Sequence, residues 1–193
     1  MTKRIATALI ATLLVIAPVM FAWSQENSTR VGSFEVRSAS LTLVDGVQEL
    51  DARLQLVLSA EALKALNSGV VLTVEVSLEV IRRVRFLPDD GEAELSLTYE
   101  LKYLPLSQRY TVRSVNTGDT DSFATLYSAL NNLGRIQSLP VIDDAILNPD
   151  SKYRIRLRVS LSTRQYSAPF RFLFFWRSEW DLKSEWYEWP LER

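Results

Sequence analysis

The side chains best equipped for chemistry in this chain are arginines and tryptophans, because the usual catalytic types are missing. Its 193 residues contain no histidine and no cysteine. That removes the commonest general base, the thiol nucleophile and the preferred ligands of zinc in one stroke. Triads of the Ser–His–Asp kind and Cys–His pairs are excluded with them. Carboxylate pairs, serine–lysine pairs and oxygen-ligated metals survive. Lys64, Lys102, Lys152 and Lys183 all lack a serine three positions earlier, the spacing used by penicillin-binding folds. Glu75, Glu79, Glu94 and Glu100 fall on expected strand faces, where a solvated surface is a plainer reading than a glycosidase pair. Asp119, Asp121, Asp143 and Asp144 offer oxygens to calcium, but no twelve-residue loop with a terminal glutamate surrounds them. Turns and helix caps account for them. The expectation is a protein that is not an enzyme and carries no metal or cofactor.

Two polar features remain. Arg154, Arg156 and Arg158 alternate along one face of an expected strand. Such a row suits an acidic partner or anionic headgroups, or else it pairs with glutamates across the sheet. Four of the five tryptophans crowd into the stretch from Trp176 to Trp189. Trp180, Trp186, Tyr187 and Trp189 there can cover the end of the fold, dock a partner or lie at a membrane interface. Together with the three arginines they form the candidate interaction surface. A formal net charge of -1 argues against non-specific nucleic-acid binding.

The elements that must hold these residues are mostly strands. Leu72, Val74, Val76, Leu78 and Val80 alternate with polar residues, and Ala93, Leu95, Leu97, Tyr99, Leu101 and Tyr103 repeat the pattern beyond Pro88-Asp89-Asp90-Gly91. Two long strands and a turn predict a central β-hairpin. Leu50 to Leu58 and Tyr153 to Leu161 show the same period. In the first strand, Phe34 and Val36 keep one parity and Leu41 and Leu43 the other, which predicts a bulge near Ser38-Ala39-Ser40. Ser59 is placed to cap a short helix over Ala60–Asn67 with Leu63 and Leu66 inward. Phe123, Leu126, Tyr127, Leu130 and Leu133 predict a second helix, capped by Asp119 or Asp121 and closed by Gly134 in a left-handed conformation. Residues 136–149 read as irregular, and the tail as a further strand packing Trp180 and Trp186 over the sandwich end. The sum is a mainly β chain: an antiparallel β-sandwich of about seven strands with one or two short helices.

At the amino end, Lys3 and Arg4 precede an uncharged run from Ile5 to Phe21, and Ala22-Trp23-Ser24 supplies small residues for cleavage. Residues 1–24 therefore read as a signal peptide, with a retained membrane anchor as the lesser reading, and 25–193 as a single domain. Without cysteine the exported fold rests on packing alone, and the bacterial periplasm suits it.

The run from Ser178 to Leu191, the Leu139–Ala145 segment and the strand from Tyr153 to Arg158 resemble a family of exported proteobacterial proteins, domain of unknown function 4390. The resemblance extends over the whole chain after the leader. It implies a location in the cell envelope and a topology class, and supplies no catalytic or binding residues. It also implies genes beside a membrane sensor kinase and its response regulator. The reading that follows is an exported binding protein whose partner is an envelope or inner-membrane protein, with peripheral membrane contact allowed. A small-molecule or lipid module with a cavity between the sheets is the alternative; an unfilled apolar pocket beside Phe123, Leu126 and Leu130 would mark it.

Overall fold

Leu72, Val74, Val76, Leu78 and Val80 are all buried, and so are Ile155, Leu157, Val159 and Leu161 on the neighbouring strand. These two rows form the floor of the core. The computed structural model describes residues 31–83, 90–162 and 182–192. Nine strands and two helices lie within them. β1 (Ser33–Val44) and β2 (Val47–Val57) form a hairpin, and helix α1 (Ala60–Asn67) follows. Next come β3 (Leu72–Arg83), β4 (Asp90–Leu104), β5 (Arg109–Ser114) and β6 (Thr120–Phe123). Helix α2 (Leu126–Leu133), β7 (Arg135–Asp143), a 3-10 turn (Asp144–Ile146), β8 (Lys152–Ser162) and β9 (Tyr187–Pro190) complete the order.

Two antiparallel sheets result, one ordered β1-β2-β7 and the other β6-β5-β4-β3-β8-β9. β2 turns Leu50, Ala52, Leu54, Leu56 and Leu58 onto the larger sheet, so the core is a sandwich filling built from alternate residues. α1 carries the chain from one sheet to the other and buries Ala62, Ala65 and Leu66. Its first turn is capped as expected, with Ser59 Oγ accepting from the Ala62 amide at 3.1 Å. Leu63 stays only half-buried. α2 touches β2 and β7 of one sheet and β5 and β6 of the other, and so plugs the gap between them. The early bulge is present: pairing of β1 with β2 slips between Val36 and Ser38, which keeps Phe34, Val36, Ala39 and Leu41 all inward.

The expected mainly β, two-sheet antiparallel fold with two short helices is what the chain adopts; nine strands lie among the described residues against about seven expected, because β6 and β7 join the sheets. Three expectations need correction. β7 occupies part of the stretch expected to be irregular. Two register slips against β2 and a positive φ of 45° at Ser138 hide its period, and Pro140 is tolerated because β7 is an edge strand of its sheet. The second helix starts later than its apolar stripe: Phe123 belongs to β6, opposite Tyr110, and the cap is Thr125 rather than an aspartate. Gly134 closes that helix at φ -78, outside the left-handed region. Its reason is space, since a Cβ there would lie 2.5 Å from the Leu54 carbonyl oxygen. The turn at Pro88-Asp89 lies outside the described residues, and Asp90 and Gly91 already belong to β4.

Gly134→Ala therefore forces the end of α2 off β2, where Leu54 N–H now donates to the Gly134 carbonyl at 2.8 Å. Denaturant unfolding is expected to show a loss of about 1–3 kcal/mol; a variant as stable as the parent would contradict the close approach. Burial pushes the Tyr99 phenol above its ordinary 10.0, because a half-buried phenolate is poorly solvated. As pH rises past 10 the unfolded chain ionises first, so this stabilisation is present below that pH and lost through the folded value. Thermal unfolding should show Tyr99→Phe losing less stability than the parent over that alkaline range.

Candidate functional site

Arg154, Arg156 and Arg158 project from the side of β8 opposite Ile155, Leu157 and Val159, as alternation requires. Cross-strand register decides what each one meets. Arg156 lies between Glu79 of β3 and Glu188 of β9, Arg154 between Ile81 and Pro190, and Arg158 beside Ser77. Arg156 Nε donates to Glu79 Oε2 at 2.7 Å, and its Nη2 pairs with the same oxygen. Arg154 Nη1 reaches Glu188 Oε2 at 3.3 Å. Glu79 of the central hairpin is thus part-buried against a β8 arginine, one of the cross-strand pairs that the alternating charges predict, while Glu94 stays exposed and Glu100 pairs with Arg113 of β5.

The aromatic half of the site is positioned by the tail. Ser184 N–H donates to the Val159 carbonyl at 2.9 Å, and Leu161 N–H donates to the Leu182 carbonyl at 2.7 Å. Ser160 pairs with Lys183, yet Leu157 pairs with Tyr187, so the tail advances one residue more than β8 between those points. The Ser184 hydroxyl fills the break. It accepts from Val159 N–H at 3.1 Å and donates to the Glu185 carbonyl at 2.9 Å, and the residue is buried. The extra residue swings Trp186 over the arginine face. Guanidinium carbons of Arg158 and Arg156 lie 4.1 and 4.5 Å from the centre of its ring. Both contacts fall within cation–π range.

Tyr187 and Trp189 go the other way. Paired with Leu157 and Ile155, they share the core side of the sheet, their rings 5.7 Å apart, and Trp189 packs against the core. The candidate surface therefore divides. Arg154, Arg156, Arg158 and Trp186 come together with Glu79 and Glu188 on the outer face, while Tyr187 and Trp189 serve the interior edge. Trp186 does not cover the sandwich end as expected, and Trp180 lies outside the described residues. Glu188 and Ser184 were not singled out from the sequence. Glu188 sits among aromatics that mask its strand parity, and no local pattern marks the Ser184 hydroxyl as a ladder acceptor.

A cleft of about 470 Å³ runs beside this site, between residues 32–36 at the start of β1 and residues 182–187 of the tail. It is the open side of the sandwich, where the edge of each sheet ends. Its floor is tightly set, since a Cβ on Gly32 would meet Leu182 and the Ser59 nitrogen at 2.6 Å. Phe123, Leu126 and Leu130, the residues beside which a ligand pocket was to be sought, pack against the core. Among the described residues, no group of three or more acidic side chains is arranged to hold a metal, and no helix is long and apolar enough to cross a membrane. Two of the aspartates bind groups of the chain itself: Asp143 Oδ1 accepts from the Ala145 amide at 2.9 Å, and Asp144 Oδ1 accepts from the buried Gln48 side chain at 2.8 Å.

Arg156 and Glu79 are each about a quarter to a third exposed, so solvent screens their attraction. A double-mutant cycle with Arg156→Ala and Glu79→Ala is expected to return a coupling of about 0.5–1 kcal/mol that shrinks in high salt. A coupling of zero at low salt would mean that the pair does not hold the outer face.

The family model that describes a "Domain of unknown function (DUF4390)" matches residues 32–190. No curated protein and no solved structure matches the chain. The matched span runs from the start of the cleft through the last residue of β9 and takes in both sheets, the arginine row and Trp186. The chain belongs to the DUF4390 family.

Proposed function

We propose that this chain is an exported, non-enzymatic binding protein of the bacterial cell envelope, working as a protein–protein interaction module. The observation that carries the reading is Trp186, held under Arg156 and Arg158 at the rim of an open cleft. Tryptophan and arginine dominate the energetics of protein interfaces. Here the ring is stacked in advance, so a partner meets an ordered surface and less side-chain entropy is lost on binding. The lack of histidine and cysteine favours binding over catalysis. Location in the envelope rests on reading residues 1–24 as a leader and on the family resemblance, and a membrane sensor kinase is the partner class that the resemblance implies.

In-cell cross-linking of the tagged full-length chain tests the reading. The expected result is one envelope protein recovered well beyond its abundance. Its recovery should fall roughly tenfold or more in Trp186→Ala, as truncation of an interface hot spot costs about 2 kcal/mol or more. Recovery of abundant proteins only, unchanged by Trp186→Ala or Arg156→Ala, would overturn it.

A further inference from the structure

We infer that Arg158 is the receptor for a carboxylate of the docking partner, an aspartate or glutamate side chain seated against the guanidinium edge. The inference rests on the protein–protein reading above and names the chemistry of what docks there.

The outer face is a charge ladder with one rung left open. Arg154 meets Glu188, and Arg156 meets Glu79. In the register position where Arg158 would need the same, β3 supplies Ser77 and β4 supplies Ser96. On β3 the next carboxylate beyond Ser77, Glu75, is one row further along, opposite Ser160, and it accepts from Ser96 Oγ at 3.2 Å. Among the described residues Arg158 forms no ion pair, and its Nε–H is buried without a hydrogen-bond partner. What holds it is Trp186, whose ring centre lies 4.1 Å from the guanidinium carbon, a contact that uses no hydrogen bond. A carboxylate binds the edge, through in-plane N–H donors. The two contacts do not compete: the ring contact spends no N–H, and although the buried Nε–H is closed to an incoming group, the terminal Nη donors are left for it.

The neighbourhood adds a second cation. Lys183 pairs with Ser160 at the next register position, is exposed, and makes no ion pair among the described residues. A ligand entering beside Trp186 thus meets Arg158 and Lys183, together with the exposed Glu185 of the same tail stretch, which forms no ion pair among the described residues. An anionic membrane is the weaker match. Recruitment to lipid headgroups calls for clusters of about four to eight basic residues, whereas Arg154 and Arg156 are already neutralised within the fold. One planar guanidinium on a fixed stack suits one carboxylate, and a partner protein presents carboxylates singly.

Side-chain NMR of the full-length chain, labelled at arginine Nε and tryptophan Nε1, tests this with a short capped peptide bearing a glutamate. The glutamate peptide should shift the Arg158 and Trp186 signals together and saturably, and its glutamine counterpart should not. Arg158→Gln should abolish the Trp186 response. Arg158→Lys, which keeps the charge and loses the planar fork, should weaken it several-fold. No response, or an equal response to the glutamine peptide, overturns the proposal. An equal or stronger response to inorganic phosphate or to phosphatidylglycerol vesicles overturns it in favour of a general anion or membrane site. The cross-linking experiment separates the two readings. If Arg158→Gln retains the partner while Trp186→Ala loses it, the docking reading stands and this inference falls. If neither variant changes capture, the docking reading fails and takes this inference with it.

Discussion

Burial of one continuous apolar row on β3 against the matching row on β8 is the constraint on which the rest of the molecule depends. Every second residue of both strands is closed to solvent, and each such aliphatic side chain contributes about 1.5–3 kcal/mol relative to exposure. Because side chains alternate with period two, a slip of one residue would turn that whole row to water. The register of the central pair is therefore held firmly by the core, without disulfides. Everything on the opposite face inherits that register. Glu79 faces Arg156 because Leu78 and Leu157 must face the smaller sheet.

That inheritance explains why an ionic face is tolerated beside a packed core. Partly buried charges are costly unless paired, and the fold pairs Arg154 and Arg156 while stacking Arg158 on a ring. The tail supplies half of this arrangement: Glu188 for Arg154, Trp186 for Arg156 and Arg158. It is also the outermost strand of its sheet, held by a few backbone bonds and the buried Ser184 hydroxyl. A sheet edge that carries an ordered aromatic and arginines is a different object from one that only ends a sheet. In the proposed docking role, that face and the cleft beside it are what a partner would meet.

Local signals were strong wherever the period ran unbroken. β2, β3, β4 and β8 are readable by eye, and the parity change around Ser38 reports the bulge because a bulge is the cheapest way to keep both halves of a strand inward. Ser59 was legible as a cap because its hydroxyl needs only the next turn's amide. β7 was not, since two register slips and Pro140 scramble its alternation. Thr125 is hidden as a cap, because the apolar stripe that locates a helix continues onto the end of β6 and points to aspartates a few residues earlier. Gly134 shows a different limit. A glycine after a helix suggests a left-handed cap, and only the position of the Leu54 carbonyl reveals that it is there for room.

For the candidate site, the division follows the range of the interactions. The sequence by itself determined which residue types were absent, that the chain is mainly β, and that three arginines share one strand face, because composition and period-two alternation are local properties. It also brought the tryptophan-rich tail into view without deciding which ring does what. Only the tertiary structure decided that Trp186 faces the arginines while Trp189 faces the core. That choice hangs on one extra residue in the tail opposite β8, stabilised by a serine hydroxyl in place of a backbone carbonyl. Strand order likewise decided which arginine finds a glutamate and which finds a serine. Such partners are set by register between segments far apart in the chain, and no window of sequence contains both sides of that pairing.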